Sequence, residues 1–123
     1  LNEKALYTKL IGTELESGIK FVGLINKHGR LQNSVQDKSF TLSDKTSEML
    51  FMSLRLQNSL QDDFTDQFGK VFKITIEHEK SKFLLYPLGS LVAVAITEKN
   101  LDESKLKNTV ISNLNFLTNK NTP

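Results

Sequence analysis

The side chains able to do chemistry are few and scattered. His28 stands in Asn26-Lys27-His28-Gly29 and His78 closes the run VFKITIEH. Neither has a second imidazole at the spacing that puts two zinc ligands on one helical face. Both read as solvent-facing or edge histidines. Asp62, Asp63 and Asp66 are close enough in sequence to suggest a hard-cation site. The D-x-[DN]-x-[DN]-G loop that wraps calcium is missing, however, and a solvated helix end accounts for the cluster. Serine and threonine are plentiful, but no G-x-S-x-G elbow occurs, nor an S-x-x-K in a setting that would activate the hydroxyl. No glycine-rich phosphate loop is present, and cysteine is absent, which removes thiolate nucleophiles, thiolate metal sites and disulfides together. The expectation is a non-enzyme with no catalytic residue, no cofactor and no metal, in a reducing compartment such as the cytoplasm.

Binding to polyanions is not expected either. Sixteen basic and 14 acidic residues leave a net charge of +2 spread along the chain, too little to draw in nucleic acid or an anionic membrane. Lys70, Lys73, Lys80 and Lys82 lie near Phe72, Phe83 and Tyr86, as in domains that stack single-stranded RNA. Period-two alternation puts Phe72 with Ile74 and Ile76 on an apolar face, so the lysines read as protection of a sheet edge. Apolar runs such as Leu91–Ile96 fall far short of the roughly 20 residues of a membrane-spanning helix. No order of basic, apolar and small residues opens the chain at Leu1, and secretion is not expected.

The elements that would carry any function follow from periodicity. With 123 residues, 38% hydrophobic and 24% charged, the chain suits one globular domain, expected over 1–118 with a disordered tail at 119–123. Leu6, Leu10, Ile11 and Leu15 give an amphipathic helix over 3–16. IKFVGLIN (19–26) and Arg30–Val35 form a β-hairpin around Lys27-His28-Gly29. Thr41, Leu42, Ser43 and Asp44 offer caps for a long central helix from about Ser43 to Phe64. VFKITIEH, Lys82–Leu88 and Leu91–Thr97 read as three further strands, and Asp102 caps a last helix carrying Leu106, Val110, Leu114 and Leu117.

The predicted fold class is therefore α/β in the α+β sense. Its element order is α-β-β-α-β-β-β-α, a three-layer α-β-α arrangement on a five-stranded antiparallel sheet. The doubly apolar strands 19–26 and 91–97 belong in the middle of that sheet.

The central helix carries two apolar stripes. Met49, Met52, Leu56, Leu60 and Phe64 fall on one side, and Leu50, Phe51 and Leu54 on another. A helix packed only on its own sheet needs one. Leu50, Phe51 and Leu54 are read as the surplus stripe, exposed unless a partner or the adjoining loop covers them.

The opening helix, the hairpin GIKFVGLINKHGRL, the long central helix, VFKITIEH and the turn and strand PLGSLVAVAI together resemble the roadblock / dynein-light-chain family, within the longin and profilin-like group. The resemblance covers residues 3 to about 118. It implies a homodimer, or a heterodimer with a related roadblock-like chain, joined through central helices and third strands into one sheet. It also implies a partner such as a small Ras-like GTPase or a larger scaffold. Carried onto this chain, the expected interface residues are Met49, Leu50, Phe51, Leu54, Phe72 and Ile74. The competing reading is a profilin-like or PAS-like small-molecule sensor, with a ligand held between sheet and central helix and Met49 and Met52 lining the pocket.

Overall fold

The computed structural model describes residues 18–37 and 39–104. Strand β1 (Ile19–Ile25) turns back as β2 (Leu31–Gln36). Helix α1 (Asp44–Asp62) and the single turn α2 (Thr65–Phe68) cross to β3 (Ile74–Glu77), β4 (Ser81–Leu88) and β5 (Leu91–Glu98). The strands make one antiparallel sheet in the order β2-β1-β5-β4-β3. The expected antiparallel five-stranded sheet is therefore found, with β5 and β1 inside it. The expected helix over 3–16, the last helix beyond Ser104 and the tail 119–123 lie outside the described residues.

The local reasons are legible. In the β1–β2 turn, Asn26 Oδ1 accepts the N–H groups of His28 (2.9 Å) and Arg30 (3.1 Å), satisfying donors that the ladder cannot. Gly29 follows at φ 77°, where a side chain would be strained, and a Cβ there would stand 3.0 Å from the Met52 backbone. Helix α1 starts at Ser43, whose Oγ accepts the Thr46 N–H at 3.1 Å. Gly69, at φ 85°, ends α2 with its N–H on the Thr65 carbonyl.

Both faces of the sheet are buried. One gathers Ile19, Val22, Leu24, Leu84, Tyr86, Ala93 and Ala95, with Leu101 packed against it. The other gathers Phe21, Ile25, Leu85, Val92, Val94 and Ile96 with Phe51 and Leu54 of α1. Phe21 lies between two rings, stacked on Phe51 at 5.3 Å and tilted against Phe40 at 6.3 Å.

The structure corrects three expectations. The stripes of the central helix are exchanged: Phe51 and Leu54 are 3% and 2% exposed, while Met52 and Leu56 are 59% and 58% exposed. Leu50, expected on the surplus stripe, is half-buried against the α1-facing cluster. Two apolar faces do not reveal which turns inward, and the Phe21 ring selects Phe51. Second, β3 is shorter than VFKITIEH, and Phe72 precedes it at 84% exposed instead of joining Ile74 and Ile76 on the apolar face. Continuing the Ile74–Leu85 register would set Phe72 against Pro87, which has no N–H to give the ladder. Third, Lys82 guards no edge: β4 lies between β5 and β3, and Lys82 is buried.

The exchange of faces has a direct consequence. Leu54→Ala should cost about 2–5 kcal/mol in denaturant unfolding. Leu56→Ala, at a dilution where association does not contribute, should stay within about 0.5 kcal/mol.

Candidate interaction surface

Helix α1 sets the geometry of the outward surface. At 100° per residue, Phe51, Leu54 and Asn58 point to the sheet, and Met49, Met52, Leu56 and Leu60 cluster roughly 180° away. These four side chains are each more than half exposed. The apolar row is prolonged by Phe64, Phe68 and Phe72, all exposed, around the α2 turn. A shallow groove bounded by Gln61, Phe64, Phe68, Gly69, Lys70 and Val71 runs along that end. Isolated exposed apolar residues are ordinary; a row of this length is a candidate interaction surface.

The inward face of the same helix is less apolar towards its C-terminus. Asn58 is 2% exposed; its Nδ2 reaches Asp62 Oδ2 at 3.4 Å, and its Oδ1 has no hydrogen-bond partner among the described residues. Arg55, beside it, buries Nε and one terminal nitrogen without acceptors among the described residues. Towards its C-terminus the helix thus turns polar groups inward while leucines point outward, which a helix serving one sheet does not require.

The expected interface residues divide accordingly. Met49 and Phe72 are exposed on this surface, Phe51 and Leu54 are core, and Leu50 and Ile74 are half-buried against the α1-facing cluster. Met52, Leu56, Leu60, Phe64 and Phe68 join the surface instead. Periodicity had grouped all but Phe68 with Met49, so the grouping was visible and the direction was not.

On the α1-covered sheet, the end strand is β3, whose outer edge meets no strand among the described residues. A strand edge of this kind offers unpaired N–H and C=O groups. At the other end of α1, Gly29, Arg30, Leu31, Ser47, Glu48, Phe51 and Met52 line a groove of about 330 Å³ that opens to solvent.

Chemistry is sparse among the described residues. His28 is exposed in its turn, and His78 packs on the Phe83 ring at 4.8 Å. No three His, Cys, Asp or Glu side chains gather as a metal site among the described residues. No described helix is long and apolar enough to cross a membrane.

No protein-family model and no curated protein matches the sequence. Solved structures do match its fold. A Roadblock/LC7 domain from Streptomyces avermitilis superposes with TM-score 0.75 at 11% identity, over 94% of both chains. MglB of Myxococcus xanthus gives 0.72 at 17% identity, over 94% of this chain and 90% of that one. A structure described as MglB with tetrameric arrangement gives 0.73 at 10% identity, over 90% and 82%. The fold of the chain is that of the Roadblock/LC7 domains.

The buried amide of Asn58 provides a check on the polarity of the inward face. Asn58→Leu removes an unsatisfied buried oxygen and should stabilise the chain by on the order of 1 kcal/mol, read as a higher denaturant midpoint at unchanged slope.

Proposed function

We propose that the chain is a non-catalytic protein-interaction module that pairs with a second copy of itself and presents the joint surface to another protein. The observation that carries this reading is the α1 row Met49, Met52, Leu56 and Leu60, turned away from the only sheet it could pack on among the described residues. Covering the exposed part of each side chain contributes on the order of 1 kcal/mol. Four from each copy, with the β3 edge alongside, make a surface of the kind dimers bury.

Charge on the same row favours a second copy laid antiparallel. Lys45 falls at the N-terminal end of the row, and Asp63 at its C-terminal end continues the helical turn. Within one helix both are misplaced. A cation at the N-terminus and an anion at the C-terminus oppose the macrodipole, and no basic residue occupies the last turn to offset Asp62. In an antiparallel pair centred level with Leu54, each Lys45 meets the partner's Asp63 region, and Met52 faces the partner's Leu56. A two-fold interface is self-complementary in this way. The tetrameric arrangement of MglB is in keeping with a fold that self-associates. A related roadblock-like chain is the alternative occupant, and a small Ras-like GTPase or a larger scaffold is the outer partner that the resemblance implies.

The small-molecule reading draws on the groove beside Met52. It is less well supported, because the space between sheet and α1 is filled by the Phe21–Phe51 stack and Leu54, and the groove lies open at the surface.

The test is molar mass by light scattering over a concentration series. The wild type should be dimeric, and Met52→Glu with Leu56→Glu should give a folded monomer. Lys45→Asp and Asp63→Lys should each weaken association several-fold, and the two together should restore it. A wild type that stays monomeric when concentrated would refute self-association and turn the search to a different protein partner.

A further inference from the structure

On the sheet face away from α1, one carboxylate connects three parts of the chain. Lys82 of β4 shares that face with Leu84 and Tyr86, and its ammonium is buried, with the side chain 7% exposed. A buried ammonium needs a counter-charge and acceptors. Both come from the short segment after β5. Lys82 Nζ donates to Glu103 Oε2 at 3.1 Å and to the Leu101 carbonyl at 3.4 Å. The other carboxylate oxygen, Glu103 Oε1, takes Lys73 Nζ at 2.9 Å, and Lys73 is the residue before edge strand β3. Asp102 Oδ1 accepts the N–H of Ser104 at 3.1 Å and its hydroxyl at 2.8 Å, closing a tight turn around Glu103. The Tyr86 hydroxyl is buried on the same face without a hydrogen-bond partner among the described residues.

We propose that residues 101–104 form an ionic latch in which Glu103 neutralises the buried Lys82 while tethering Lys73. One carboxylate then sets both the docking of this segment on the sheet and the order of the edge strand. The effect on association rests on the reading of β3 as a pairing edge, whereas the latch itself does not.

Electrostatics agree with the geometry. Among the described residues, the charged and titratable groups facing Glu103 are Lys73 and Lys82, with Tyr86 in Coulombic reach. Hydrogen bonds from Lys73 and then Lys82 hold the Glu103 carboxyl below its ordinary value of 4.5. Burial, and after it the Glu103 charge, raises the Tyr86 phenol. Because the folded-state value of Glu103 is the lower one, the latch is fully engaged above the ordinary carboxylate range. It is lost as pH falls through the depressed folded value.

The test is peptide-resolved hydrogen exchange on the full chain, with light scattering in parallel. Glu103→Gln should speed exchange by about tenfold or more in 99–104 and 72–78 and leave 92–96 protected. Adding Lys82→Met removes the charge that needs neutralising. It should restore protection at 99–104 but not at 72–78, where Lys73 still lacks its carboxylate. Unchanged exchange in Glu103→Gln, or no recovery at 99–104 in the double variant, would overturn the latch. Should Glu103→Gln fail to fold, Lys73→Met cuts one arm alone. Faster exchange confined to 72–78 is then expected, and unchanged exchange there overturns the proposal. Exchange is read on monomer or dimer alike, so a monomeric wild type would refute self-association and leave the latch standing.

Discussion

Helix α1 has apolar side chains on opposite sides and one sheet to pack against. The stack of Phe21 on Phe51 decides which side goes in, and the other features follow from that choice. With Phe51 and Leu54 inward, Met49, Met52, Leu56 and Leu60 are left outward, and Asn58 and Arg55 carry polar atoms into buried positions. The approach of Gly29 to the Met52 backbone holds the hairpin turn against the helix in this orientation. A helix that leaves so much apolar surface in water is marginal for a chain of 123 residues, and its cost is offset when a second surface covers it.

Much of the fold was legible in the sequence because its strands alternate or are doubly apolar. IKFVGLI and LVAVAITE are buried on both faces, as their composition requires, and they occupy inner positions of the sheet. Ser43 was among the cap candidates, and its hydroxyl makes the cap. The outward surface was only half legible. Periodicity separates two stripes but contains no information about which meets the core, since that depends on Phe21, distant in sequence from α1. Phe72 misled for a similar reason: its alternation with Ile74 fits a strand, but the residue it would face is Pro87, known only once the register is fixed. Lys82 looked like an edge lysine because nothing local shows that β4 is an inner strand or that Glu103 returns to meet it.

Edge strand β3 is held on both of its faces. Ile74 and Ile76 of β3 pack towards α1, while Lys73 is held from the other face by Glu103. A four-residue edge strand has few ladder bonds of its own, so its order depends on what holds it from either side. In the proposed pairing, the β3 edge, which meets no strand among the described residues, would supply register through strand pairing, and the α1 row most of the energy through side-chain burial.

The most direct measurement of the central claim uses the absence of cysteine from the chain. A single thiol placed by Leu56→Cys, exposed to a short thiol crosslinker at micromolar protein, is compared with Glu79→Cys, which lies off the row in the β3–β4 turn. Efficient covalent dimerisation of the Leu56→Cys variant, and little of the control, is the result expected if the outward face of α1 packs on a second copy. Equal and slow crosslinking of both would contradict it.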